Sequence, residues 1–341
     1  MKAFEGDAED NVCRVITEQG AIETEMVIIA TGVRPEIGLA REAGLTIGNT
    51  GAIQVDEHQM TNDPAIYAGG DCAEQRHLLT GEPVYIPLAS TANKQGRVIA
   101  DHIAGIPARF APVEGTSILQ AFDLTIGRTG LSEEEARNRG YNVVTSVSSG
   151  LDATHYYPMH ALITIKLIAE QENGRLLGAQ VCGIGGCAKR LDVLATALKF
   201  GAKAEDLIDL DLAYAPPFAT AIDVLIHAAT TLENMRQGIA LGITAENVTK
   251  RLAAGEKLCI LDIREPDEVM ANPLSLDGTM VIGLGELRER WEEIPRDSLI
   301  VTVCGLGIRG YEATCMLQSK GISQVAFLQG GLNVGSAFFK Q

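Results

Sequence analysis

Cys304 is the residue most ready to do chemistry. It closes the apolar run LIVTVC, and six residues, Cys304 to Arg309, lead into a helix-forming stretch, RGYEATCML. A thiol at such a strand end faces backbone N–H groups and the start of a helix, whose partial positive charges stabilise an anion on sulfur. Gly305 and Gly307 let the backbone curl so that its amides turn inward. Leu306, Ile308 and Gly310 complete the turn, and Arg309 adds a permanent positive charge. The pattern predicts a sulfur nucleophile inside an anion-binding cradle. Cys315, one helical stretch further on, reads as buried and inert.

The same residues spell a second motif. Gly305, Gly307 and Gly310 form GxGxxG between strand and helix, the spacing of a dinucleotide-binding turn. That turn needs an acidic residue about 20 positions on to hold a ribose. Residues 321–341 contain neither Asp nor Glu. The nucleophile reading is therefore preferred.

A second constellation is TNDPAIYAGGD, residues 61–71. Ile66, Tyr67 and Ala68 read as a strand end, Gly69 and Gly70 let a ligand approach the backbone, and Asp71 offers a carboxylate to sugar-type hydroxyls. The run VIIATGVRPE stops abruptly at Thr31-Gly32 in the same way. Seven cysteines include no CxxC pair, and the six histidines include no HxxxH. No metal site and no disulfide framework are expected, and a reducing cytoplasm is the default. Cys182 and Cys187, in CGIGGC, read as packing residues.

The elements that position these groups fall into three stretches. Asn11–Thr17 and Ala21–Ala30 read as strands around a turn at Gln19-Gly20, and Leu88–Ile103 as a helix ending at Gly105. A Pro-containing segment, 105–112, marks a boundary. Strands then follow at Leu124–Gly127, Tyr141–Ser146, Ala161–Ala169 and Leu176–Cys182, with helices after Ser132 and over Lys189–Phe200, an α+β order. A second boundary lies near Gln237-Gly238. Beyond it β and α alternate: helices Ala245–Ala254, Glu286–Glu293 and Tyr311–Lys320, strands Leu258–Asp262, Leu299–Val303 and Val325–Leu328.

Composition limits the function classes. The 341 residues are 46% hydrophobic with 36 glycines, enough for several packed cores and many tight turns. A net charge of −16 argues against a binder of nucleic acid or anionic membrane. The first seven residues lack the apolar core of a signal peptide, and runs such as Met26–Ala30 fall far short of the roughly 20 residues of a membrane span.

Two resemblances sharpen the reading. C-x-x-G-x-R between strand and helix, preceded by LDIREPDEV (261–269) and GELRERWEEIP (285–295), resembles a rhodanese domain over about residues 242–341. The resemblance implies that Cys304 carries a persulfide whose outer sulfur is cradled by the amides of Gly305–Gly310. It implies that Arg309 lines the pocket, and that Asp262 and Arg264 brace the loop. A six-residue Cys-to-Arg loop suits sulfur transfer, whereas related phosphatases have a longer one. At the front, TNDPAIYAGGDCAE and VIIATGVRPE resemble flavin-binding motifs of pyridine nucleotide-disulfide oxidoreductases. This implies FAD contacts from Thr31, Gly32, Thr61, Asn62, Asp63, Pro64, Ala65, Ile66, Tyr67, Ala68, Gly69, Gly70 and Asp71, the last on the ribityl chain. Ala89 would approach the flavin and Asn93 the substrate.

The middle segment, about 114–236, resembles the dimerisation domain of the branch containing coenzyme A-disulfide reductases and NADH-dependent persulfide or polysulfide reductases. The resemblance implies that Tyr214 of YAPP, and Tyr156 or Tyr157 of HYYP, reach the partner subunit's active site. Ile222 stands where that branch often has a lysine for coenzyme A phosphates.

The expected fold is a multidomain α/β and α+β chain: 1–33 the tail of an NAD(P)-binding domain, 34–110 a C-terminal segment of an FAD-binding domain, 111–237 a dimerisation domain and 238–341 a rhodanese domain. A GxGxxG loop for the FAD pyrophosphate and the family's redox cysteine are not found, so the chain resembles the C-terminal part of a larger enzyme with a partial FAD site. Two functions are weighed. One is part of a homodimeric, NAD(P)H- and FAD-dependent reductase of small disulfides or persulfides, with a sulfurtransferase domain. The other is a sulfurtransferase whose flavoprotein remnant only dimerises it.

Overall fold

The computed structural model describes residues 1–274 and 276–339; the last two positions of the expected C-terminal domain lie outside the described residues. The chain forms two compact units, one of Met1–Gln75 with Pro83–Phe110, the other of Arg76–Glu82 with Ala111–Gln341.

The first unit opens with an antiparallel meander: β1 (Ala3–Gly6), β2 (Val12–Thr17) and β3 (Gly20–Glu23). Thr17 pairs with Gly20 across the turn, and Gly20 takes a φ of +136°. The strand expected to continue to Ala30 stops at Glu23. Ile28 is 82% exposed and Ile29 65%, and among the described residues no neighbouring strand offers them a ladder. Likewise Tyr67 makes only a single bridge, to Met60, instead of a strand over Ile66–Ala68. A small core of Ala40, Ile53, Ala68 and Ala73 holds the unit, which contains α1 (Gly38–Glu42) and α2 (Ala89–Ile103).

The described residues of the second unit form two five-stranded sheets. The first is antiparallel, built from β4 (Ser117–Ala121), β5 (Leu124–Gly130), β6 (Val143–Leu151), β7 (Leu162–Glu170) and β8 (Leu176–Gly183) in the order β4-β5-β8-β7-β6. Between β5 and β6 lies α3 (Glu133–Asn138), begun by a reciprocal cap in which Ser132 Oγ accepts from Glu135 N and Glu135 Oε2 from Ser132 N. Ile163, Ile165 and Leu167, alternate residues of β7, turn to one face. They pack there with Leu191, Leu194 and Leu198 of α4 (Cys187–Lys199) and Leu225, Ala228 and Leu232 of α6 (Val224–Arg236); the short α5 (Ala204–Ile208) adds Leu207.

The second sheet is parallel, in the order β9-β13-β12-β10-β11. Its chain order is β9 (Gly242–Ile243), α7 (Ala245–Ala253), β10 (Leu258–Asp262), α8 (Pro266–Ala271), β11 (Thr279–Val281), α9 (Leu284–Arg290), β12 (Leu299–Val303), α10 (Ile308–Ser319), β13 (Val325–Leu328) and α11 (Gly331–Phe339). Helices cover both faces, so its strands are continuous apolar runs rather than alternating ones. Leu261 and Ile300 serve one core; Ile260, Val301, Val303 and Leu328 serve the other.

Polar ties join the two sheets' domains. Asn333 Nδ2 donates to Ser149 Oγ and Thr164 Oγ1, both at 3.2 Å, and Val147 N donates to the buried Gln329 Oε1 at 2.9 Å. Asn234 Nδ2 at the end of α6 donates to Tyr311 Oη at 2.6 Å.

Candidate active site

Cys304 directly follows β12 and is 1% exposed. Its Sγ accepts hydrogen bonds from Gly307 N at 3.1 Å and Gly310 N at 3.3 Å. Gly307, the residue immediately before α10, has a φ of +98°, which only glycine adopts without strain. The turn thus brings Cys304, Gly305, Leu306, Gly307, Ile308, Arg309 and Gly310 around one sulfur. The buried Thr302 Oγ1 lies 2.8 Å from Gly310 O and 2.9 Å from Thr314 Oγ1, fixing the strand under the helix.

The outer wall of the turn comes from residues that local sequence reading did not single out. Leu332 N donates to Cys304 O and Asn333 N to Gly305 O, both at 2.9 Å. A Cβ on Gly331 would lie 2.5 Å from Gly307 N and 2.6 Å from Cys304 O. The paired glycines of LQGG, between a strand and a helix, were the available signal.

Arg309 does not present an unneutralised charge to the sulfur, contrary to the sequence expectation. Glu268 on α8 takes both its terminal nitrogens, at 2.6 and 2.7 Å. The guanidinium holds the Glu268 carboxyl down at about 2. Asp262 and Arg264 act on the loop at one remove. They form a buried pair, Arg264 Nη2 to Asp262 Oδ2 at 2.7 Å, and Arg264 Nη1 donates to Asn272 O at 2.9 Å. That pair fixes the α8 segment, α8 carries Glu268, and Glu268 holds Arg309. Glu268 stood in the sequence as the third residue of a helix opened by Pro266, where its Oε2 accepts from Glu265 N.

Three other thiols ionise with difficulty. Burial pushes Cys187 up to about 11 and raises Cys182 and Cys259, so these stay protonated at neutral pH. Cys315, on α10 beside Tyr311, is half-buried rather than buried.

In the first unit, residues 61–66 build a turn from their own side chains. Thr61 Oγ1 donates to the carbonyls of Asp63 and Ile66, Asn62 Oδ1 accepts from Thr46 N, and Asp63 Oδ1 accepts from Ala65 N. Thr61, Asn62 and Asp63 are thereby engaged with backbone, and Pro64 and Ala65 cap the turn at the surface. Tyr67 Oη lies 2.9 Å from His102 Nδ1. Gly69 faces α2, not open space: a Cβ there would meet Ile99 Cδ1 at 3.2 Å and Gln95 Cβ at 3.3 Å. Gly70, at φ +77°, donates its N–H to the buried Gln95 Oε1 at 2.7 Å. Asp71, Ala89, Asn93, Thr31 and Gly32 are exposed. Tyr214, Tyr156, Tyr157 and Ile222 belong to the second unit, where Tyr156 is 66% and Tyr214 55% exposed.

Residues 117–226 match the family description "pyridine nucleotide-disulphide oxidoreductase, dimerisation domain", and residues 1–96 match "pyridine nucleotide-disulphide oxidoreductase" itself. Together these matches cover more than half of the chain. The chain belongs to the pyridine nucleotide-disulphide oxidoreductases. The chain also matches a rhodanese-like domain over residues 244–337. Its relatives include a Pyrococcus horikoshii protein named NAD(P)H coenzyme A polysulfide/persulfide reductase, 42% identical over 67% of this chain and 51% of that one. A Staphylococcus epidermidis coenzyme A disulfide reductase is 29% identical over 60% of this chain and 47% of its own. Among solved structures, an NAD-dependent persulfide reductase from A. fulgidus superposes with a TM-score of 0.89 at 40% identity, covering 98% of this chain and 59% of that one. The Bacillus anthracis CoADR-RHD structure gives 0.87 at 37%, covering 96% and 58%. The chain spans about half the length of the curated relatives it matches. Its family uses FAD and NAD(P)H.

Proposed function

We propose that this chain is part of a flavin-dependent disulfide or persulfide oxidoreductase whose rhodanese domain transfers sulfane sulfur through a persulfide on Cys304. One observation carries the reading: Cys304 Sγ accepts N–H bonds from Gly307 and Gly310 at the mouth of α10, inside the rhodanese match. Donors fixed on the sulfur stabilise the thiolate that leaves when its outer sulfur is passed on. The names of the relatives supply the substrate class: coenzyme A persulfides, polysulfides and disulfides, with NAD(P)H as reductant.

FAD, when bound, passes an electron pair from a nicotinamide to an S–S bond. The residues of the first unit fit part of such a group. Tyr85 Oη takes only the backbone carbonyl of Asp71, which leaves the exposed carboxylate free for hydroxyls, and exposed Ala89 opens α2 with a side chain small enough to admit a ring edge. Asn93, whose Nδ2 donates to Ala89 O, lies one turn on. Residues 1–110 contain no glycine-rich pyrophosphate loop, so the site they make is partial. Residues 111–237 form the dimerisation domain, 238–341 the rhodanese domain, and Tyr156, Tyr157 and Tyr214 serve the partner's site. A cytoplasmic setting suits thiol chemistry. No helix among the described residues is long and apolar enough to cross a membrane.

Incubation with thiosulfate, followed by mass spectrometry of the intact chain, tests the reading. One added sulfur is expected on the wild type and on Cys315→Ser, and none on Cys304→Ser. Sulfur retained by Cys304→Ser would refute it.

A further inference from the structure

The end of the parallel sheet away from Cys304 holds a group that sulfur chemistry does not use. Cys304 directly follows β12 and Ser298 directly precedes it. Ser298 is 5% exposed, and its Oγ has no hydrogen-bond partner among the described residues. Such a hydroxyl is uncommon, because it has given up water without gaining a replacement. Ser298 lines a recess of about 120 Å³, flanked by Arg296 and Ile300. Gly321, Ser323 and Gln324, from the link between α10 and β13, complete the lining. We propose that this recess binds a tetrahedral oxyanion: inorganic phosphate or sulfate, or the phosphate end of a small ester.

Charge selects the ligand. Arg296 Cζ lies 5.3 Å from the centroid of the Trp291 ring, in the turn after α9, and Lys320 Nζ lies 5.7 Å from the same centroid. The acid next in the chain, Asp297, is taken by Lys257. Among the described residues neither Arg296 nor Lys320 has a carboxylate partner, and no carboxylate lines the recess. Two cations against one ring repel each other, a local exception in a chain of net charge −16, and an anion relieves that repulsion. Donors are at hand. The Ser298 hydroxyl and the Arg296 guanidinium can both donate, and the backbone N–H groups of Ser323 and Gln324 are in no hydrogen bond among the described residues. The volume, several times the ~30 Å³ of a water molecule, admits one four-oxygen anion and excludes a nucleotide.

The recess is separate from the sulfur turn. The extended chain from Ser298 to Cys304 puts them about 20 Å apart, at opposite ends of one strand. The proposal therefore stands or falls independently of the persulfide reading.

The test uses the 341-residue chain and its own reporter. Trp291 is the only tryptophan, so its emission registers any ligand that draws Arg296 away from the ring. Titration with inorganic phosphate at neutral pH should change that emission saturably, and chloride at equal ionic strength should not. Ser298→Ala leaves the tryptophan's surroundings intact and removes a hydroxyl that has no partner, so it should resist urea as well as the wild type does. Its half-saturating phosphate concentration should nevertheless rise about tenfold or more, the loss of one hydrogen bond to a charged group. Arg296→Gln, followed by calorimetry because its emission changes at the outset, should lose the heat of phosphate binding. Arg14→Ala, which removes the same charge from the first unit, should titrate as the wild type does. Glycerol 3-phosphate separates the two sources: equal affinity assigns the site to the free ion, and tenfold tighter binding assigns it to an ester. An emission change reproduced by chloride, a Ser298→Ala chain that titrates like the wild type, or heat retained by Arg296→Gln would overturn the proposal.

Discussion

At the scale of single residues the pair Glu268–Arg309 decides how the sulfur turn meets an anion. With both present the two charges cancel beside the turn; removing only the arginine leaves a carboxylate there. Arg309→Ala should therefore raise the half-saturating thiosulfate concentration about tenfold, the effect of roughly 1.4 kcal/mol of uncompensated repulsion across a partly screened gap. Glu268→Gln in the same chain should restore most of it. A double variant as poor as Arg309→Ala, in steady-state sulfur transfer, would refute this account. The pair also carries a pH signature. The Glu268 carboxyl is held down at about 2 against an ordinary value of 4.5. Its contribution to stability is then complete above about 4.5 and lost as pH falls toward 2. Both side chains are more than a third exposed, so the contribution is about 1 kcal/mol after solvent screening. Melting temperatures of wild type and Glu268→Gln should accordingly differ at pH 6 and converge near pH 2.

At the scale of elements, legibility in the sequence followed how local the determining contacts are. β10, β12 and β13 match the ranges read from sequence because each is a buried apolar run with a sharp boundary. The cradle of Cys304 was equally local, since glycines three and six positions away supply its donors. Glu268 was invisible as a partner because it sits 41 positions before Arg309 and meets it only when α8 packs beside α10. The helix α6 was missed for a different reason: VLIHAATTLENMR mixes β-branched and polar residues, and it is held helical by burial of Leu225, Ala228 and Leu232 against the antiparallel sheet and by Asp223, whose side chain accepts from Leu225 N. The reverse error, a strand drawn through Ala30, credited an apolar run with a ladder that no described residue provides. α11 was missed as well, and it has the most direct consequence for chemistry. Its first residue, Gly331, has a φ of +59°, and a Cβ there would crowd three backbone atoms of the sulfur turn. Gly331→Ala should cost about 2–4 kcal/mol and slow persulfide loading, whereas Gly285→Ala, whose Cβ meets nothing within 4 Å, should do neither. Urea unfolding and thiosulfate loading of the two variants would check both halves.

At the scale of the whole molecule, a chain of net charge −16 that is matched to a dimerisation domain must overcome its own repulsion to associate. Apolar surface supplies the means. The segment joining β6 to β7 carries Tyr156 and Met159, 66% and 81% exposed, and the segment before α6 carries Tyr214, Phe218 and Ile222, 55%, 67% and 52% exposed. These segments lie side by side: Thr154 N donates to Pro216 O at 3.0 Å and Thr154 Oγ1 to Ala219 O at 3.3 Å. Five large apolar side chains thus stand exposed on two adjoining segments, apolar surface of the kind that isolated soluble domains cover. Burying Tyr214 and Phe218 against a second copy would contribute about 2 kcal/mol each. A symmetric dimer buries two copies of each, so replacing both with Asp removes about 8 kcal/mol and weakens association on the order of a millionfold. In sedimentation at micromolar concentration the wild type should run as a dimer and the double variant as a monomer. The single change Phe122→Asp, at a side chain 98% exposed on the β4–β5 turn and outside these two segments, should leave the dimer intact. A wild type that stays monomeric would refute the dimer, and a double variant that still dimerises would place the interface elsewhere on the chain.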